Sequence, residues 1–266
     1  MTKTASSPIV EMTTSAAAVT RVSENIGSKT STQASSRSHS TVNKKKRNFD
    51  SSEEGDEEKQ TIETRSKTYV GTFTMKNGKP QGEGTITYAR GDVYTGHVKD
   101  GEPHGFGKMM NDIGDSYEGQ WENGKKHGFG KHTSVHGHVY EGEWNGRKDG
   151  QGKMMWQGGS VYEGNYYKGS VHGRGKMTTK HYVYEGGFVQ ERMQGDGEMK
   201  YHDRNGEVVK GSWMNGYLRN GKVLYTNGDV YVGELKKGQP HGNGKLTKAN
   251  GIEYEGEWKY GRMKAF

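Results

Sequence analysis

The sequence contains no cysteine and few aliphatic side chains, and these absences exclude several kinds of protein. Without cysteine, the 266-residue chain has no disulfide, no zinc–thiolate site and no cysteine nucleophile. Hydrophobic residues make up only 28% of the chain, less than a compact globule of this length needs for its core. No apolar run approaches the roughly 20 residues that span a bilayer, and the first residues lack the apolar segment of a signal peptide. We therefore expect a thin, extended fold in the cytoplasm or the nucleus.

Glycine and the aromatic residues are abundant instead, and the aromatic residues divide the chain in two. Of the 27 aromatic residues, 26 follow position 68, and the exception is Phe49. Residues 1–66 are rich in serine and threonine and carry a basic cluster followed by an acidic cluster. Such a segment buries too little apolar surface to offset the entropy lost on ordering. We predict a disordered tail over 1–66 and a repeat array over 67–266.

The tail contains two candidate regulatory motifs. The basic cluster consists of Lys44, Lys45, Lys46 and Arg47. It is a candidate nuclear import signal, although a solvated charge run that pairs with the nearby acids explains it more simply. Ser51 and Ser52 precede the acidic residues and are candidate phosphorylation sites for an acid-directed kinase. Phosphate added beside carboxylates would extend the segment rather than fold it.

One pattern recurs from Tyr69 onward. Its clearest copy reads Tyr117-Glu118-Gly119-Gln120-Trp121, then Gly124, then His127-Gly128-Phe129-Gly130-Lys131. Copies follow one another at intervals of 22 to 25 residues, a period typical of repeat proteins. The tyrosines that open them are Tyr69, Tyr94, Tyr117, Tyr140, Tyr162, Tyr184, Tyr231 and Tyr254, with Val209 in this place once.

The spacing within a copy predicts a β-hairpin. Tyr117, Gly119 and Trp121 occupy alternate positions and so share one face of a strand. Gly124 marks the hairpin turn, and connections such as Asn227-Gly228-Asp229 favour tight turns with positive φ. Glycines inside the strands leave room for large rings from a neighbouring strand. We predict an all-β fold, an elongated single-layer antiparallel ribbon that gains roughly 9–10 Å per hairpin.

The pattern Tyr-Glu-Gly-x-Trp, Gly, Gly-x-Gly resembles the MORN repeat (membrane occupation and recognition nexus) over roughly residues 69–266. The resemblance implies a curved ribbon of antiparallel hairpins, here eight complete repeats and a truncated ninth. The copies depart from the pattern around 184–225. Glu191 replaces a turn glycine, Val209 replaces a tyrosine, and Asn220 and Lys222 flank Gly221 where Gly-x-Gly is expected. We expect a bend, a bulge or an altered twist there.

The repeats contain no pattern typical of a catalytic site. Histidines precede a glycine in four copies, at His104, His127, His172 and His241. Equivalent positions in adjacent hairpins are about 9–10 Å apart, too far to share a zinc ion with bonds of about 2.0–2.1 Å. The Gly-x-Gly-Lys runs lack the Gly-x4-Gly-Lys-Ser/Thr pattern of a nucleotide loop. Some enzymes carry this repeat beside a separate catalytic domain, and we expect no such domain here. We expect no enzyme activity, no metal and no cofactor.

Two surfaces of the ribbon are candidates for binding. The first is rich in aromatic residues and methionine, and its expected ligand is a helix or extended peptide of a protein partner. Its candidate residues are Tyr117, Trp121, Tyr140, Trp144, Met154, Met155, Trp156, Tyr162 and Tyr166. The second is the turn edge, whose cations can attract anionic phospholipids, although lysines that prevent sheet aggregation are the simpler interpretation. Its candidate residues are Lys125, Lys126, Arg147, Lys148, Lys236 and Lys237.

These features favour a non-catalytic scaffold that binds a protein partner. The resemblance implies a cytoskeletal, ciliary or membrane-proximal location. The alternatives are peripheral binding of anionic phospholipids and regulation of a separate phosphoinositide kinase. Nucleic-acid binding is not expected, because the charges alternate in sign along the repeats. The last copy stops after Trp258 without a Gly-x-Gly strand, and the open strand edge predicts self-association.

Overall fold

The computed structural model describes residues 59–204 and 206–264, which form one open antiparallel sheet of 19 strands. The strands are β1 Gln60–Glu63, β2 Lys67–Lys76, β3 Lys79–Tyr88, β4 Val93–Lys99, β5 Glu102–Met110, β6 Ser116–Glu122, β7 Lys125–Thr133, β8 Val139–Asn145, β9 Arg147–Met155, β10 Val161–Tyr167, β11 Ser170–Thr178, β12 Tyr182–Val189, β13 Arg192–Tyr201, β14 Val208–Met214, β15 Tyr217–Leu224, β16 Val230–Lys236, β17 Gln239–Thr247, β18 Glu253–Lys259 and β19 Arg262–Met263. Each strand pairs with the next along the chain, so hairpin turns line one edge and the connections between hairpins line the other. The predicted all-β, single-layer ribbon is confirmed. No helix able to cross a membrane occurs in these residues.

The sheet begins before the predicted boundary at residue 66. Strand β1 pairs with β2, with Gln60 opposite Gly71 and Glu63 opposite Thr68. The side chain of Ile62 packs against the core, and one apolar residue is too weak a signal for composition to reveal. The boundary was therefore placed too late. Residues 1–58 lie outside the described residues, and with them the basic cluster at 44–47 and the two candidate phosphorylation sites at 51 and 52.

Most hairpins close with two residues in the left-handed backbone conformation. Between β6 and β7 these are Asn123 (φ 50°) and Gly124 (φ 75°), the backbone pattern of a type I′ turn, whose twist matches that of the strands. The Gly124 N–H also donates to the carbonyl of Pro103 in the preceding hairpin, at 2.9 Å. The same bond joins Gly146 to Lys126 at 2.8 Å. The turn residues thus stack successive hairpins as well as closing them.

The irregular copies around 184–225 continue the sheet. Glu191 takes the place of the turn glycine with φ 67°, and its N–H donates to the Val171 carbonyl at 3.0 Å. Gly211 still lies opposite Gly221. Bulges occur at Gly186/Phe188 and Ser212/Trp213, but similar bulges occur in regular hairpins, for example at Gly119/Trp121. The expected bulge is therefore a feature of the repeat rather than of this region.

The core lies on one face of the sheet, which we call the aromatic face. In β6, Tyr117, Gly119 and Trp121 are buried, whereas the residues between them are exposed. A Cβ atom added to Gly130 would lie 2.5 Å from Cζ of Tyr117, so the ring fills the space of a side chain. The same relation holds for the pairs Tyr94–Gly107, Tyr140–Gly152, Tyr162–Gly175, Tyr184–Gly197 and Tyr231–Gly244. The predicted nesting of rings over glycines is present, between the two strands of one hairpin.

The opposite face, which we call the charged face, carries cross-strand ion pairs. Lys131 Nζ lies 2.8 Å from a Glu141 oxygen, and Lys108 lies 3.6 Å from Glu118. These pairs follow from the strand period of two, which puts the lysines and acids opposite the rings. Because the pairs are exposed, they keep this face soluble more than they stabilise the fold.

The last strand covers part of the edge for which self-association was predicted. Strand β19 pairs with β18 through Trp258 opposite Met263 and Lys259 opposite Arg262. The Lys264 N–H also donates to the Glu257 carbonyl at 2.8 Å, so on this side of β18 the described residues leave Glu253 to Gly256 without a paired strand. Self-association through this edge stays a prediction.

Candidate functional site

The rings of the aromatic face form a ladder of perpendicular contacts that is unbroken from Tyr94 to Trp213. The Tyr117 ring meets Trp121 of its own hairpin at 5.0 Å and Trp144 of the next hairpin at 5.2 Å, with interplanar angles of 90° and 82°. Tyr140 and Tyr166 repeat the contact at 5.0 Å. Edge-to-face pairs of this kind contribute about 0.5–1.5 kcal/mol each beyond their burial. The ladder therefore stabilises each hairpin on its neighbour.

The polar atoms of the rings bond within the sheet. The Tyr117 hydroxyl donates to the carbonyl of the bulged residue Gln120 at 3.0 Å. The Trp144 Nε1–H donates to the Gly130 carbonyl at 3.0 Å, the residue that Tyr117 covers. Each covered glycine thus has a tyrosine over its Cα, and several also bind an indole from the next hairpin.

Six of the predicted partner-binding residues are therefore core residues. Their exposed fractions are 7% or less, and they are Tyr117, Trp121, Tyr140, Trp144, Tyr162 and Tyr166. The structure places these rings in the core rather than on a surface open to a partner, and their role in binding stays a prediction. In a chain this poor in aliphatic residues, the rings supply the core itself.

The other three predicted residues are half-buried at the end of β9. Met154 lies opposite Tyr140 and Tyr162 on the aromatic face, and Met154 and Trp156 pack against the core. Met155 is opposite Val139 and faces the other way. Residues equivalent to Met154 form a half-buried row along the same side of the ladder, which we call the methionine strip: Met109, His132, Met154 and Met177.

The structure separates the lysines that were predicted to form one basic edge. Lys126 lies opposite Trp121 and therefore on the aromatic face, whereas Lys125 lies opposite Glu122 on the charged face. In the next hairpin, Lys148 lies opposite Trp144 on the aromatic face, and Arg147 lies on the charged face. Lys236 and Lys237 are exposed at the β16–β17 turn. The six cations therefore do not share one face of the sheet, because neighbouring residues in a strand point to opposite faces, and lipid binding by them stays a prediction.

Lys126 and Lys148 occupy a position that is apolar in the other hairpins. We call it the post-turn position, two residues after the turn glycine or its replacement. Its other occupants are Pro80, Pro103, Val171, Met193, Leu218, Pro240 and Met263, all buried except the last, which is half-buried. Lys126 Nζ lies 4.7 Å from the ring centroids of both Tyr117 and Trp144. Lys148 Nζ lies 4.8 Å from the centroid of Tyr140.

Burial disfavours the charge on both ammonium groups. It lowers the pKa of Lys126 to about 8, with the nearby Lys148 adding to the effect and Asp115 opposing it. Burial likewise lowers the pKa of Lys148, against the attraction of Glu191. Burial and Lys126 lower the pKa of His132. Among residues 59–204 and 206–264, no carboxylate oxygen lies within 4.0 Å of either lysine Nζ.

A shallow groove adjoins Lys126. It has a volume of about 650 Å³ and runs between the turns of hairpins β6–β7 and β8–β9. Lys126, Asn145 and Gly146 are among its lining residues. Glu122, Lys125 and Arg147 also line it, so the groove combines one carboxylate with three cations beside solvent.

Two exposed phenylalanines were missed by the sequence analysis. Phe106 and Phe129 are 63% and 62% exposed on the charged face. Both occupy the x of Gly-x-Gly, where other copies have polar residues such as Gln151 and Arg174. Comparison of the residues at this position in all the copies would have identified the two phenylalanines. The same comparison at the post-turn position would have identified Lys126 and Lys148.

For the histidines considered as ligands, the described part of the chain contains no metal-binding cluster of three or more His, Asp or Glu side chains.

The fold and these two faces define a protein built from stacked, single-layer β-hairpins. The MORN repeat profile matches residues 69–93, 94–116, 117–139, 140–161, 162–180, 231–253 and 254–264. The chain therefore belongs to the MORN repeat family, as its sequence pattern indicated. The hairpins between residues 181 and 230 keep the same pairing outside the matched segments.

Solved structures show only distant similarity. The TCP10c domain of Drosophila melanogaster Sas-4 is 16% identical with a TM-score of 0.30, over 76% of this chain and 99% of that one. The SAS-4 TCP domain of Drosophila melanogaster in complex with a proline-rich motif of Ana2 is 12% identical with a TM-score of 0.32, over 79% and 97%. Virginiamycin B lyase from Staphylococcus aureus is 11% identical with a TM-score of 0.18, over 70% and 87%. No protein with a curated description matches the sequence.

Proposed function

We propose that the chain is a non-catalytic scaffold that binds a segment of a protein partner along its aromatic face, at hairpins β6–β7, β8–β9 and β10–β11. The supporting observation is the methionine strip, which stays half-exposed beside a fully buried ladder. Thioether side chains adapt to irregular partner surfaces, and Trp156 adds an aromatic anchor of the type that dominates interfaces. The ladder supplies a rigid support for these groups.

The repeat architecture suits a scaffold. Each hairpin presents the same positions about 9–10 Å after the previous one, so a long partner segment can make several weak contacts that add up. We place this scaffold at a cytoskeletal, ciliary or membrane-proximal structure, in accord with where similar proteins occur. A phosphoinositide kinase would be one such partner.

Site-specific photo-cross-linking in cells tests the proposal. The full chain carries benzoylphenylalanine at Trp156 or Met154 on the aromatic side, and at Phe129 on the charged face as the matched control. One protein should be captured from positions 154 and 156 and not from position 129. Capture from position 129 alone, or no protein adduct from 154 and 156, would contradict it. Circular dichroism of each purified variant checks that the sheet is intact.

A second candidate function is peripheral binding of anionic phospholipids. Lys125, Arg147, Lys236 and Lys237 are exposed along the hairpin-turn edge, where basic residues near a membrane contribute about 1 kcal/mol each. The test is flotation with phosphatidylserine vesicles at low and high salt. The variant that changes these four residues to Glu should lose salt-sensitive flotation. Equal flotation with vesicles that lack acidic lipid, or no flotation with any vesicle, would contradict lipid binding.

A further inference from the structure

Two adjacent hairpins place a lysine where their neighbours place an apolar residue. A buried Pro, Val, Met or Leu at the post-turn position covers the ladder without any charge to desolvate. Lys126 and Lys148 cover it with their alkyl stems but hold their ammonium groups over aromatic rings, at 4.7 Å and 4.8 Å from the ring centroids. Structural packing alone does not require a cation here. The cation–π contacts hold the ammonium groups in place, and these groups can also bind an anionic group that approaches from solvent.

The spacing of the two lysines limits the shape of that ligand. Strands β7 and β9 are separated by β8, so equivalent atoms of the two lysines are about 9–10 Å apart. Carboxylates at positions i and i+7 of an α-helix are about 10.5 Å apart on one side. Carboxylates at i and i+3 of a polyproline II segment are about 9 Å apart on one side. In a β-strand, same-side positions are about 7 or 13 Å apart, so a strand does not fit.

We propose that Lys126 and Lys148 form a two-point clamp for an acidic segment of a protein partner, each ammonium binding one of two carboxylates about 10 Å apart. This clamp rests on the proposed scaffold function and names the chemistry of its partner. The argument for a protein rather than another anion is continuity with the methionine strip: Lys148 Nζ lies 3.8 Å from the sulfur of Met154. A segment held at both lysines therefore crosses an apolar row as well.

The clamp should respond to pH in a way that exposed lysines would not. The charged and titratable groups facing Lys126 are Asp115, His132 and Lys148, and Glu191 faces Lys148. Because the pKa of Lys126 is about 8, its charge is present near neutral pH and is lost as pH rises through that value. Partner carboxylates stay ionised throughout this range. Affinity should therefore fall between about pH 7 and about pH 9.5, and binding below the transition should raise the pKa of Lys126.

Fluorescence anisotropy of labelled synthetic peptides with the full chain provides the test. One probe is an alanine-based helix with Glu at i and i+7, and another is a proline-rich peptide with Glu at i and i+3. The controls are the same peptides with Gln at both places. At least one Glu peptide should bind about tenfold more tightly than its Gln control, since a charge-assisted pair contributes about 1.4 kcal/mol or more.

Variants at the post-turn position separate the clamp from general electrostatics. Lys126→Met and Lys148→Val carry residues that other hairpins have at this position, so the sheet should fold. Each should weaken the Glu peptide about tenfold. Lys125→Gln, on the opposite face, should change affinity by no more than about twofold. Lys126→Arg should keep binding near pH 7 and lose much of the decline toward pH 9.5, because Arg stays protonated.

Several results would overturn the clamp. The first is equal affinity for the Glu and Gln peptides. The second is a loss of affinity in Lys125→Gln equal to that in Lys126→Met. The third is displacement of the labelled Glu peptide by phosphatidylserine vesicles but not by the same peptide without label. The scaffold function fails separately. If the cross-links at 154 and 156 capture the same protein from wild type and from the Lys126→Met, Lys148→Val variant, the scaffold stands and the clamp is wrong.

Discussion

At the scale of single residues, most ladder tyrosines donate a hydrogen bond from their hydroxyl to a backbone carbonyl. The Tyr140 hydroxyl donates to the Glu143 carbonyl at 3.0 Å, and so satisfies a residue that the bulge removes from regular pairing. Tyr166 takes the place of the usual tryptophan one hairpin later, and its hydroxyl is buried without a partner among the residues that the structure describes. An unpartnered buried hydroxyl costs free energy, whereas a bonded one stabilises the fold.

Substitution of these two tyrosines by phenylalanine should therefore have different effects. We expect Tyr140→Phe to lower the free energy of unfolding by about 1 kcal/mol, because a buried carbonyl loses its donor. Tyr166→Phe should leave it unchanged or raise it. Urea denaturation followed by circular dichroism measures both. The same loss in the two variants would show that the Tyr166 hydroxyl has a partner after all.

A second residue-scale prediction concerns Glu191. Its backbone has φ 67°, a conformation that costs a residue with a side chain about 1–2 kcal/mol and costs glycine almost nothing. Glu191→Gly should therefore stabilise the protein by about 1 kcal/mol. The matched control is Gly238→Glu, where φ is 74° and an added Cβ meets no atom within 4 Å. That change should destabilise by a similar amount. If Gly238→Glu is neutral, backbone strain at these turns is unimportant.

At the scale of the hairpin, stability depends on the match between one ring and one glycine. A Cβ on Gly130 would lie 2.3 Å from the Tyr117 hydroxyl oxygen, so Gly130→Ala must displace the ring. Overpacking of this kind typically costs about 1–3 kcal/mol. Gly158→Ala should be nearly neutral, because its Cβ meets nothing within 4 Å.

A double-mutant cycle shows whether the ring is the cause. In a Tyr117→Val background, Gly130→Ala should cost less than in the wild type, by about 1 kcal/mol or more. Thermal or urea unfolding of the four proteins supplies the free energies. Strict additivity would mean that Gly130 is required for its backbone alone.

The elements also show what the sequence can and cannot reveal. Hairpins, turns and ring–glycine pairs are predictable, because each follows from residues within one repeat and from the strand period of two. The pairing of β1 is not predictable. Its one core side chain, Ile62, packs against residues of later strands, and β1 itself pairs with β2. The burial of Trp144 is also hidden, since periodicity assigns a ring to a face but does not show that Tyr117 of the preceding hairpin packs against it. The candidate clamp is visible only when equivalent positions of the copies are compared.

At the scale of the whole array, aliphatic residues interrupt the ladder at two interfaces. Near its start, the buried Val98 stands where a tryptophan would meet Tyr69, and a wider gap lies toward the other end. Perpendicular ring contacts link the hairpins from Tyr94 to Trp213 and resume between Tyr231 and Trp258. Between them, Val209 and Leu235 take the places of a tyrosine and a tryptophan. In a repeat array, stability is close to a sum over neighbouring interfaces. The wider gap should be the weakest interface of the sheet.

Hydrogen exchange measured by mass spectrometry can locate it. Amides of β15 and β16 should exchange faster than those of β7 and β8, because a missing ring pair of about 0.5–1.5 kcal/mol corresponds to roughly a two- to tenfold difference. Slower exchange in β15–β16 than in β7–β8 would contradict a sheet held together by its rings.

Alkaline pH should act on the whole ladder at once. Burial raises the pKa of Tyr69, Tyr94, Tyr162 and Tyr184 to about 12, against about 10 in an unfolded chain. Since the folded value is the higher one, this stability is complete below about pH 10 and is lost as pH rises toward 12. Ionisation of one ring removes a contact on which the next hairpin depends, so the tyrosines should ionise together as the sheet unfolds. Tyrosinate absorbance and far-ultraviolet circular dichroism should then change in one step. If the absorbance rises fully while the strand signal persists, the rings are open to solvent and the ladder is not the core of this protein.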